Sequence, residues 1–256
     1  MNRKERSEML LNILLPVFNE ENRLERGVRE TIAFFDSIAF DDYVLTIVDN
    51  ASSDSTQEIA ESLCREYDQV VYLRIEEKGV GAAFRRGIEA NQAPLVGYMD
   101  IDLSTDVRHL QDMLVAFEDD QVFMVNGSRW TKESDTNGRK WYRNITSNGL
   151  TWLLRALLKM QSSDAICGFK FFRKEFVEQL IDQADASENG WFYIIELLLR
   201  AERSGQKVYE LPVHWEDDSS NSKVEVIPLI RNYCQQIARL RSSFKHEMRA
   251  KQLKAG

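Results

Sequence analysis

The chain has 256 residues, 43% of them hydrophobic, and a formal net charge of −8 at pH 7. This length and composition suffice for one large α/β domain with a substantial core, and the acidic balance argues against general nucleic-acid binding. No apolar run approaches the roughly 20 residues that a membrane-spanning helix needs.

The N-terminal segment has a basic start and a short apolar run that leads into Pro16. Because a small-residue cleavage site is missing, the segment predicts a first strand rather than a signal peptide. The three cysteines, Cys64, Cys167 and Cys234, are odd in number and lack the spacing of metal ligands. They indicate a reduced protein of the cytosol.

Apolar runs typical of strands alternate with helical patterns through the first half of the chain. The predicted strands are 12–17, 43–48, 70–75, 95–99 and 122–125, and helical stripes occupy 24–35, 59–67 and 107–117. This alternation predicts an α/β fold with a mostly parallel sheet covered by helices on both faces. The second half predicts two long helices, 139–160 and 191–203, and a strand at 207–213.

Polar segments follow the first five predicted strands, where ligands of parallel sheets bind. They read FNEE, DNASSDS, EEKGVG, DIDLSTD and NGSRW. Acidic, amide and hydroxyl side chains suit ribose and base edges, while Gly79 and Gly81 either allow close approach to a ligand or form an ordinary tight turn. The stretch GVGAAF is not a dinucleotide fingerprint, because it follows the third strand and lacks the third glycine.

Asp100 and Asp102 end the fourth apolar run. In an extended chain, alternate side chains point the same way, so both carboxylates would face one ligand. Oxygen ligands without nitrogen or sulfur select a hard cation, Mg²⁺ or Mn²⁺. The alternative is a turn in which Ser104, Thr105 or Asp106 caps the next helix.

Eight blocks in a fixed order resemble one enzyme family. They read LPVFNEE, VDNASSDST, KGVGAAFRRGI, MDIDLSTD, NGSRW, DAICGFKFFR, GWFYIIELLLRAERSG and ELPVHWEDDSSNSKV. Together they resemble the family 2 glycosyltransferases with the GT-A fold, and within them the dolichyl- and polyprenyl-phosphate sugar transferases, which include the dolichyl-phosphate mannose synthases. The resemblance runs from about residue 11 to residue 227.

The resemblance implies a binding site for a nucleotide diphosphate sugar. Its donor-binding residues would be Pro16, Phe18, Glu20, Asp49, Lys78, Gly79, Asp100 and Lys223. Asp49 would face the base, unless it is only a turn or helix-capping residue. Asp100 and Asp102 would hold the metal and the donor phosphates, with Ser104 as an optional further ligand.

The resemblance also implies a phosphate acceptor, held by Arg129, Arg143 and Ser147. Arg143 and Ser147 are four residues apart and share a helix face, and the arginine fork suits a phosphate, although Arg143 could instead be simply solvated. Gly168, in the block Asp164 to Phe169, would permit close packing near the donor sugar. Glu196 would act as a general base or position the acceptor, and a base is optional because a phosphate acceptor is already ionised.

The expected function is therefore inverting, metal-dependent transfer of a hexose from a GDP- or UDP-linked sugar to a polyprenyl phosphate. A second hypothesis is transfer to a glycan hydroxyl, which needs Glu196 or an acid of 216–218 as base. A third is a non-catalytic nucleotide-sugar-binding scaffold at a membrane, which the intact aspartate pair disfavours.

Residues 231–256 form a basic tail with seven cationic residues against Glu247, so this tail carries +6 and the remainder of the chain −14. The stripe Ile230, Cys234, Ile237, Leu240, Phe244 and Met248 predicts an amphipathic helix over 227–256, after a glycosyltransferase domain over 1–226. This helix would dock on the cytosolic membrane face, beside a membrane-spanning partner protein, or else pack against the acidic body or a partner helix.

Overall fold

The structure, a computed structural model, describes residues 10–137, 141–216 and 226–255. Its strands are β1 (Leu11–Val17), β2 (Tyr43–Asn50), β3 (Val70–Ile75), β4 (Leu95–Met99), β5 (Val122–Ser128), β6 (Asp135–Asn137), β7 (Phe169–Arg173), β8 (Lys207–Pro212) and β9 (His214–Glu216). Its helices are α1 (Leu24–Ser37), α2 (Thr56–Glu66), α3 (Val80–Ala90), α4 (His109–Ala116), α5 (Trp141–Leu158), α6 (Lys174–Ile181), α7 (Trp191–Ser204) and α8 (Val226–Ala255).

Seven strands form one sheet in the order β3-β2-β1-β4-β7-β5-β8. All neighbours are parallel except β7, which runs antiparallel between β4 and β5. The mostly parallel sheet predicted from the alternation of strands and helices is confirmed. Strand β7 was not predicted, although its insertion proves important because it brings Gly168 next to the end of β4.

The sheet is buried on both faces because its strands are apolar on both sides. In β1, Leu11, Ile13 and Leu15 contribute to one apolar cluster, and Leu14 contributes to the opposite one. Helices α1, α2 and α4 cover the first face, while α3 and α5 to α8 cover the second. This three-layer arrangement leaves the carboxyl ends of β1, β2, β3 and β4 together at one edge of the sheet.

Helix α8 packs against the body of the protein. Ile237, Leu240 and Phe244 are all less than 4% exposed and belong to the same apolar cluster as α5 and α7. The amphipathic helix was predicted correctly, but its use as a membrane-facing stripe was wrong for these three residues, since the body already covers them. Cys234 and Met248 of the stripe are exposed, and the side chain of Ile230 lies outside the described part.

Helix α8 runs alongside α7 in the same direction. The ring of Tyr233 lies 5.6 Å from that of Phe192 near the start of α7, and Glu247 accepts a hydrogen bond from Arg200 near its end. Within the described ranges, none of the helices combines the length and the apolar character required to cross a bilayer.

Candidate active site

The aspartate pair lies in a turn directly after β4. Asp100 N–H donates to Gly168 O at 3.1 Å, and Leu103 N–H donates to Asp100 O at 3.3 Å, so the chain reverses just beyond Met99. The prediction that both carboxylates project from an extended strand was therefore wrong in its geometry. Asp102 nonetheless stays near enough to Asp100 for its negative charge to contribute to the raised pKa of Asp100.

Asp100 has a strongly perturbed environment. Burial, followed by the neighbouring carboxylate of Asp102, raises the pKa of Asp100 to about 7, although Arg129 and Lys170 act in the opposite direction. Burial also raises the pKa of Glu20, against the opposing effect of Arg23. A group of carboxylates that resists ionisation in the protein alone is arranged to receive positive charge.

The side chain of the second aspartate, Asp102, is partly exposed to solvent. Asp102 Oδ1 accepts a hydrogen bond from Ser104 N–H at 2.9 Å, and its Oδ2 lies 3.9 Å from Arg23 Nη1. This bond closes a turn that was not predicted. Of the three residues considered as caps of the next helix, Asp106 accepts a hydrogen bond from Arg108 N–H at 2.9 Å just before α4. Metal binding by the aspartate pair stays a prediction. Ser104 is buried, and its carbonyl oxygen accepts a hydrogen bond from Glu216 N–H.

Gly168 leaves the space that the Asp100 carboxylate occupies. A Cβ atom at residue 168 would lie 1.9 Å from Asp100 Oδ2 and 2.2 Å from its Cγ. This glycine therefore packs closely against Asp100, whereas its expected nearness to the donor sugar stays a prediction. Strand β7 makes the approach possible, since Phe169 pairs with Met99 in antiparallel register.

Asp49, the predicted base-binding residue, is completely buried at the end of β2. Its Oδ1 accepts from Ser52 N–H at 2.9 Å, and its Oδ2 accepts from the Tyr72 hydroxyl at 2.6 Å and from Arg74 Nη1 at 3.0 Å. Burial and this bond raise the pKa of Tyr72 to about 12. Asp49 therefore presents no free oxygen to a base in this conformation, and the group that faces solvent there is Arg74.

Phe18 and Lys78 lie together at the edge of the sheet. Lys78 Nζ is 4.8 Å from the centre of the Phe18 ring, and Phe18 is 44% exposed. An exposed ring with a cation over it offers a stacking surface and a positive charge at this edge of the sheet. Pro16 is half-buried in β1 opposite Val48, and it supports this edge from within the sheet.

Gly79 and Gly81 are explained by packing against Asn189. Gly79 has a φ of +122°, and a Cβ atom there would lie 2.1 Å from Asn189 O. That oxygen accepts hydrogen bonds from Gly81 N–H at 2.8 Å and from Ala82 N–H at 3.2 Å. The free amides at the start of α3 are thus satisfied by the protein, so the tight-turn interpretation of the glycines is supported over direct contact with the donor.

Arg129, predicted to bind the acceptor phosphate, is 8% exposed and forms a bidentate pair with Asp164. Arg129 Nε donates to Asp164 Oδ2 at 2.6 Å, and Nη2 donates to Oδ1 at 2.9 Å. Although burial acts against both charges, Arg129 keeps the pKa of Asp164 below its usual value. Because Ile166 and Cys167 N–H also donate to Asp164, the pair shapes the loop that ends at Gly168.

Arg143 and Ser147 lie on helix α5, as predicted, but their side chains are outside the described part of the structure. Lys223 lies outside it altogether, as do residues 217 and 218, so the phosphate-binding roles of these residues stay predictions.

Glu196 lies inside the helical layer. It is 0% exposed, and its two oxygens accept hydrogen bonds from Arg200 Nε at 2.9 Å and from Arg239 Nη2 of α8. Because both oxygens are engaged and the side chain is buried, neither oxygen is open to a substrate hydroxyl. The position argues against the predicted general base and favours a role in joining α7 to α8.

Three further residues at this edge were missed. Lys170 is completely buried in β7 and donates from Nζ to Cys167 O at 2.7 Å; burial lowers its pKa. Arg23 lies beside Asp102, and Trp191 lies 6.4 Å from the Tyr98 ring while 39% exposed. A lysine within the apolar run GFKFF was the one clear sequence signal among them.

The neighbouring Cys167 behaves as a buried structural residue. Burial raises the pKa of its thiol to about 11, so it is not a nucleophile at neutral pH. This agrees with its interpretation from the sequence as a small buried side chain.

The Glycosyl transferase family 2 model matches residues 12–181 of this chain. The chain is 32% identical over 231 residues to glycosyltransferase AglD of Haloferax volcanii, which covers 90% of this chain and 36% of that protein. It is 27% identical to dolichyl-phosphate beta-glucosyltransferase ALG5A of Trichomonas vaginalis, over 88% of this chain and 71% of that protein. The chain thus spans about a third of the length of AglD.

Among solved structures, the chain is similar to glucosyl-3-phosphoglycerate synthase from Mycobacterium tuberculosis, crystallised with Mn²⁺, UDP and glucosyl-3-phosphoglycerate. The TM-score is 0.66 at 19% identity, over 92% of this chain and 80% of that one. At this identity the likeness shows the fold alone, and it confirms the expected GT-A architecture.

Proposed function

The chain belongs to glycosyl transferase family 2, a family of transferase enzymes, and we propose that it moves a hexose from a nucleotide diphosphate sugar to a polyprenyl phosphate. The acceptor class is supported by the likeness to a dolichyl-phosphate beta-glucosyltransferase. The mostly parallel GT-A sheet supplies the setting, because its strand ends gather the proposed donor residues at one edge.

The aspartate pair carries this proposal. Asp100 and Asp102 lie close enough for repulsion to help raise the pKa of Asp100 to about 7, and a bound cation would reverse that effect. The oxygen-only donor set fits Mg²⁺ or Mn²⁺, which bind through one or two carboxylates with water and phosphate completing the shell. Among the described residues, no group of three or more histidine, cysteine, aspartate or glutamate side chains is placed to hold a metal ion.

Asp100 and Asp102 would hold the metal. Ser104, whose N–H donates to Asp102 Oδ1 in the same turn, would be an optional further ligand. When bound, the cation would stabilise the negative charge that develops on the leaving diphosphate. Lys78 would add a cation beside the nucleotide, and the exposed Phe18 ring an apolar surface for it. Glu20 is held by Arg23, with Arg23 Nε 2.7 Å from Glu20 Oε2, and both residues border the aspartate turn.

In the proposed reaction, an oxygen of the acceptor phosphate forms a bond to the anomeric carbon while the bond to the diphosphate breaks. Attack from the face opposite the leaving group gives inversion. Arg143 and Ser147 on α5 would orient the acceptor phosphate. Because that phosphate is already ionised, the reaction needs no proton acceptor, and most of the rate enhancement would come from positioning.

Transfer to a glycan hydroxyl remains the second candidate, and the position of Glu196 weighs against it. A hydroxyl acceptor needs a general base, whereas Glu196 is enclosed by Arg200 and Arg239. Of the other acids considered, Glu216 is exposed and directly precedes a segment that lies outside the described residues. The intact aspartate pair weighs against the third candidate, a non-catalytic scaffold.

A lipid acceptor places the proposed reaction at a membrane surface, on its cytosolic side, where a separate membrane-spanning protein could hold the enzyme. Helix α8 contributes exposed cations at Lys245 and Arg249, but they lie toward the end of α7 that is remote from Trp191. Membrane contact near the active site would therefore involve other surfaces than this end of α8.

The experiment that tests the proposal incubates the protein with GDP- and UDP-linked hexoses, Mg²⁺ or Mn²⁺, and a short polyprenyl phosphate. We expect metal-dependent formation of a polyprenyl-phosphate hexose, lost in Asp102→Asn while the circular dichroism spectrum is unchanged. Transfer to a glycan hydroxyl but to no lipid phosphate would overturn the acceptor assignment. Normal activity of Asp102→Asn with continued inhibition by a chelator would remove Asp102 from the metal site.

A further inference from the structure

A short loop packs between the C-terminal helix and the glycine turn beside the proposed donor site, and it is hydrogen-bonded to both. This bracing loop, Asp185–Gly190, lies between the first turn of α3 and the middle of α8. On the α3 side, Asn189 O accepts hydrogen bonds from Gly81 and Ala82 N–H at 2.8 and 3.2 Å. Arg85 Nη1 donates to Glu188 O at 2.8 Å, so the loop is attached to two successive turns of α3.

The fit between the loop and the glycine turn is close. A Cβ atom on Gly79 would lie 2.1 Å from Asn189 O, and one on Gly81 would lie 2.8 Å from Gly190 O. Lys78 directly precedes this turn and stacks on Phe18. A displacement of the bracing loop would therefore move the residues that we assign to the donor.

Helix α8 holds the loop from the other side. Gln236 Nε2 donates to Glu188 Oε2 at 2.6 Å, and Gly190 N–H donates to Glu188 Oε1 at 2.7 Å. Arg239 Nε donates to Gln236 Oε1 at 2.8 Å and lies 3.2 Å from Asp185 Oδ2. Glu188 is only 6% exposed, so its two hydrogen bonds are shielded from water and fix its orientation.

We propose that Glu188 and Gln236 are positioning residues for the nucleotide sugar, through which α8 fixes the glycine turn at Lys78 and Gly79. This inference rests on the proposed donor site but not on the identity of the acceptor. Neither residue touches the donor; each acts through Asn189 and the start of α3. Helix α8 is on this view a component of the active-site framework rather than an accessory tail.

The test exchanges the two polar groups. Glu188→Gln leaves one oxygen to accept from both Gln236 Nε2 and Gly190 N–H, and Gln236→Glu places two carboxylates face to face, so each single variant loses one of these hydrogen bonds. In the double variant, the amide at position 188 donates to the carboxylate at position 236, which can still accept from Arg239, while Gly190 N–H keeps its acceptor. Gln235→Ala, an exposed neighbour on the same helix, is the matched control.

Three quantities are measured: the Kd of UDP and of GDP with Mg²⁺, hydrogen exchange of the Gly81 and Ala82 amides, and separate KM values for donor and acceptor. Loss of one buried hydrogen bond should weaken nucleotide binding by about five- to tenfold in each single variant. Exchange at Gly81 and Ala82 should accelerate in parallel, and the double variant should restore both. In the single variants the donor KM should rise while the acceptor KM stays at its wild-type value. In Gln235→Ala all of these quantities should stay at wild-type values.

Single variants that lower Tm but leave nucleotide Kd and amide exchange unchanged would reduce the contact to structural packing and overturn the proposal. Failure of the double variant to restore either quantity would do the same. If the wild type fails to glycosylate a polyprenyl phosphate, the proposed acceptor is wrong. Nucleotide Kd and amide exchange together still decide the present inference in that case, because neither measurement involves the acceptor.

Discussion

Substitution of Gly168 by alanine tests whether the position of the Asp100 carboxylate controls transfer. The added methyl carbon would lie 1.9 Å from Asp100 Oδ2 and 2.2 Å from Cγ. Carbon and oxygen atoms in ordinary contact are about 3.5 Å apart, so one group must move by roughly 1.5 Å. The backbone has little freedom to do so, because Asp100 N–H donates to Gly168 O and β7 pairs with β4.

We therefore expect the carboxylate to rotate away from its position beside Asp102. A displacement of about 1 Å in a catalytic arrangement costs on the order of 100-fold in rate, so kcat/KM should fall by about that factor. The affinity for Mn²⁺, measured by electron paramagnetic resonance, should fall as well. Gly149→Ala on α5 is the matched control, since a methyl group there meets no atom within 4 Å.

The control should keep wild-type activity and gain about 0.5–1 kcal/mol in the free energy of unfolding, because alanine is favoured over glycine within a helix. Urea denaturation followed by circular dichroism measures this gain and shows whether Gly168→Ala folds. A folded Gly168→Ala protein that retains more than about a third of wild-type kcat/KM and binds Mn²⁺ normally would refute the reasoning.

Three further predictions concern pH, the acceptor and the C-terminal helix. The pKa of Asp100 is raised from 3.8 to about 7, so the free energy of unfolding of the metal-free protein falls as pH rises between these two values. Asp100→Asn should therefore stabilise the fold by on the order of 2 kcal/mol at pH 8, but by little at pH 4. Equal gains at both pH values in urea titrations would contradict this. Arg143→Ala should raise the KM for lipid phosphate at least tenfold and leave the KM for the nucleotide sugar nearly unchanged; a loss confined to the donor would overturn the assignment. A chain ending at Val226 loses the buried side chains of Ile237, Leu240 and Phe244, roughly 5–9 kcal/mol of stabilisation, and should fail to fold; a urea midpoint equal to that of the full chain would show that α8 is dispensable.

Much of the fold could be predicted from local patterns. The five strands of the first half and the long helices α5 and α7 lie close to their predicted positions, because apolar runs of different period are a local property of the chain. Strand β7 could not be predicted in this way. Phe169–Arg173 is short and contains a lysine, and only its partners β4 and β5 make it a strand.

The candidate site shows the same division. Residue type and order were sufficient to single out Asp100, Asp102, Phe18 and Lys78, which the structure gathers at one edge of the sheet because parallel strands end there. Which of the predicted polar side chains are already engaged within the protein was not predictable. Asp49 is covered by Tyr72 and Arg74, residues more than twenty positions away in the chain.

The sequence by itself determined the family, the α/β class and the chemistry available at the strand ends, since these depend on which residues occur and in what order. Tertiary structure alone decided the distant partners of the charged groups: Arg129 pairs with Asp164, and Glu196 with Arg239 of α8. It also decided that the apolar stripe of α8 faces the protein. A periodic pattern shows that a face will be buried but not against what, because burial is equally favourable against a bilayer, a partner or the protein's own core.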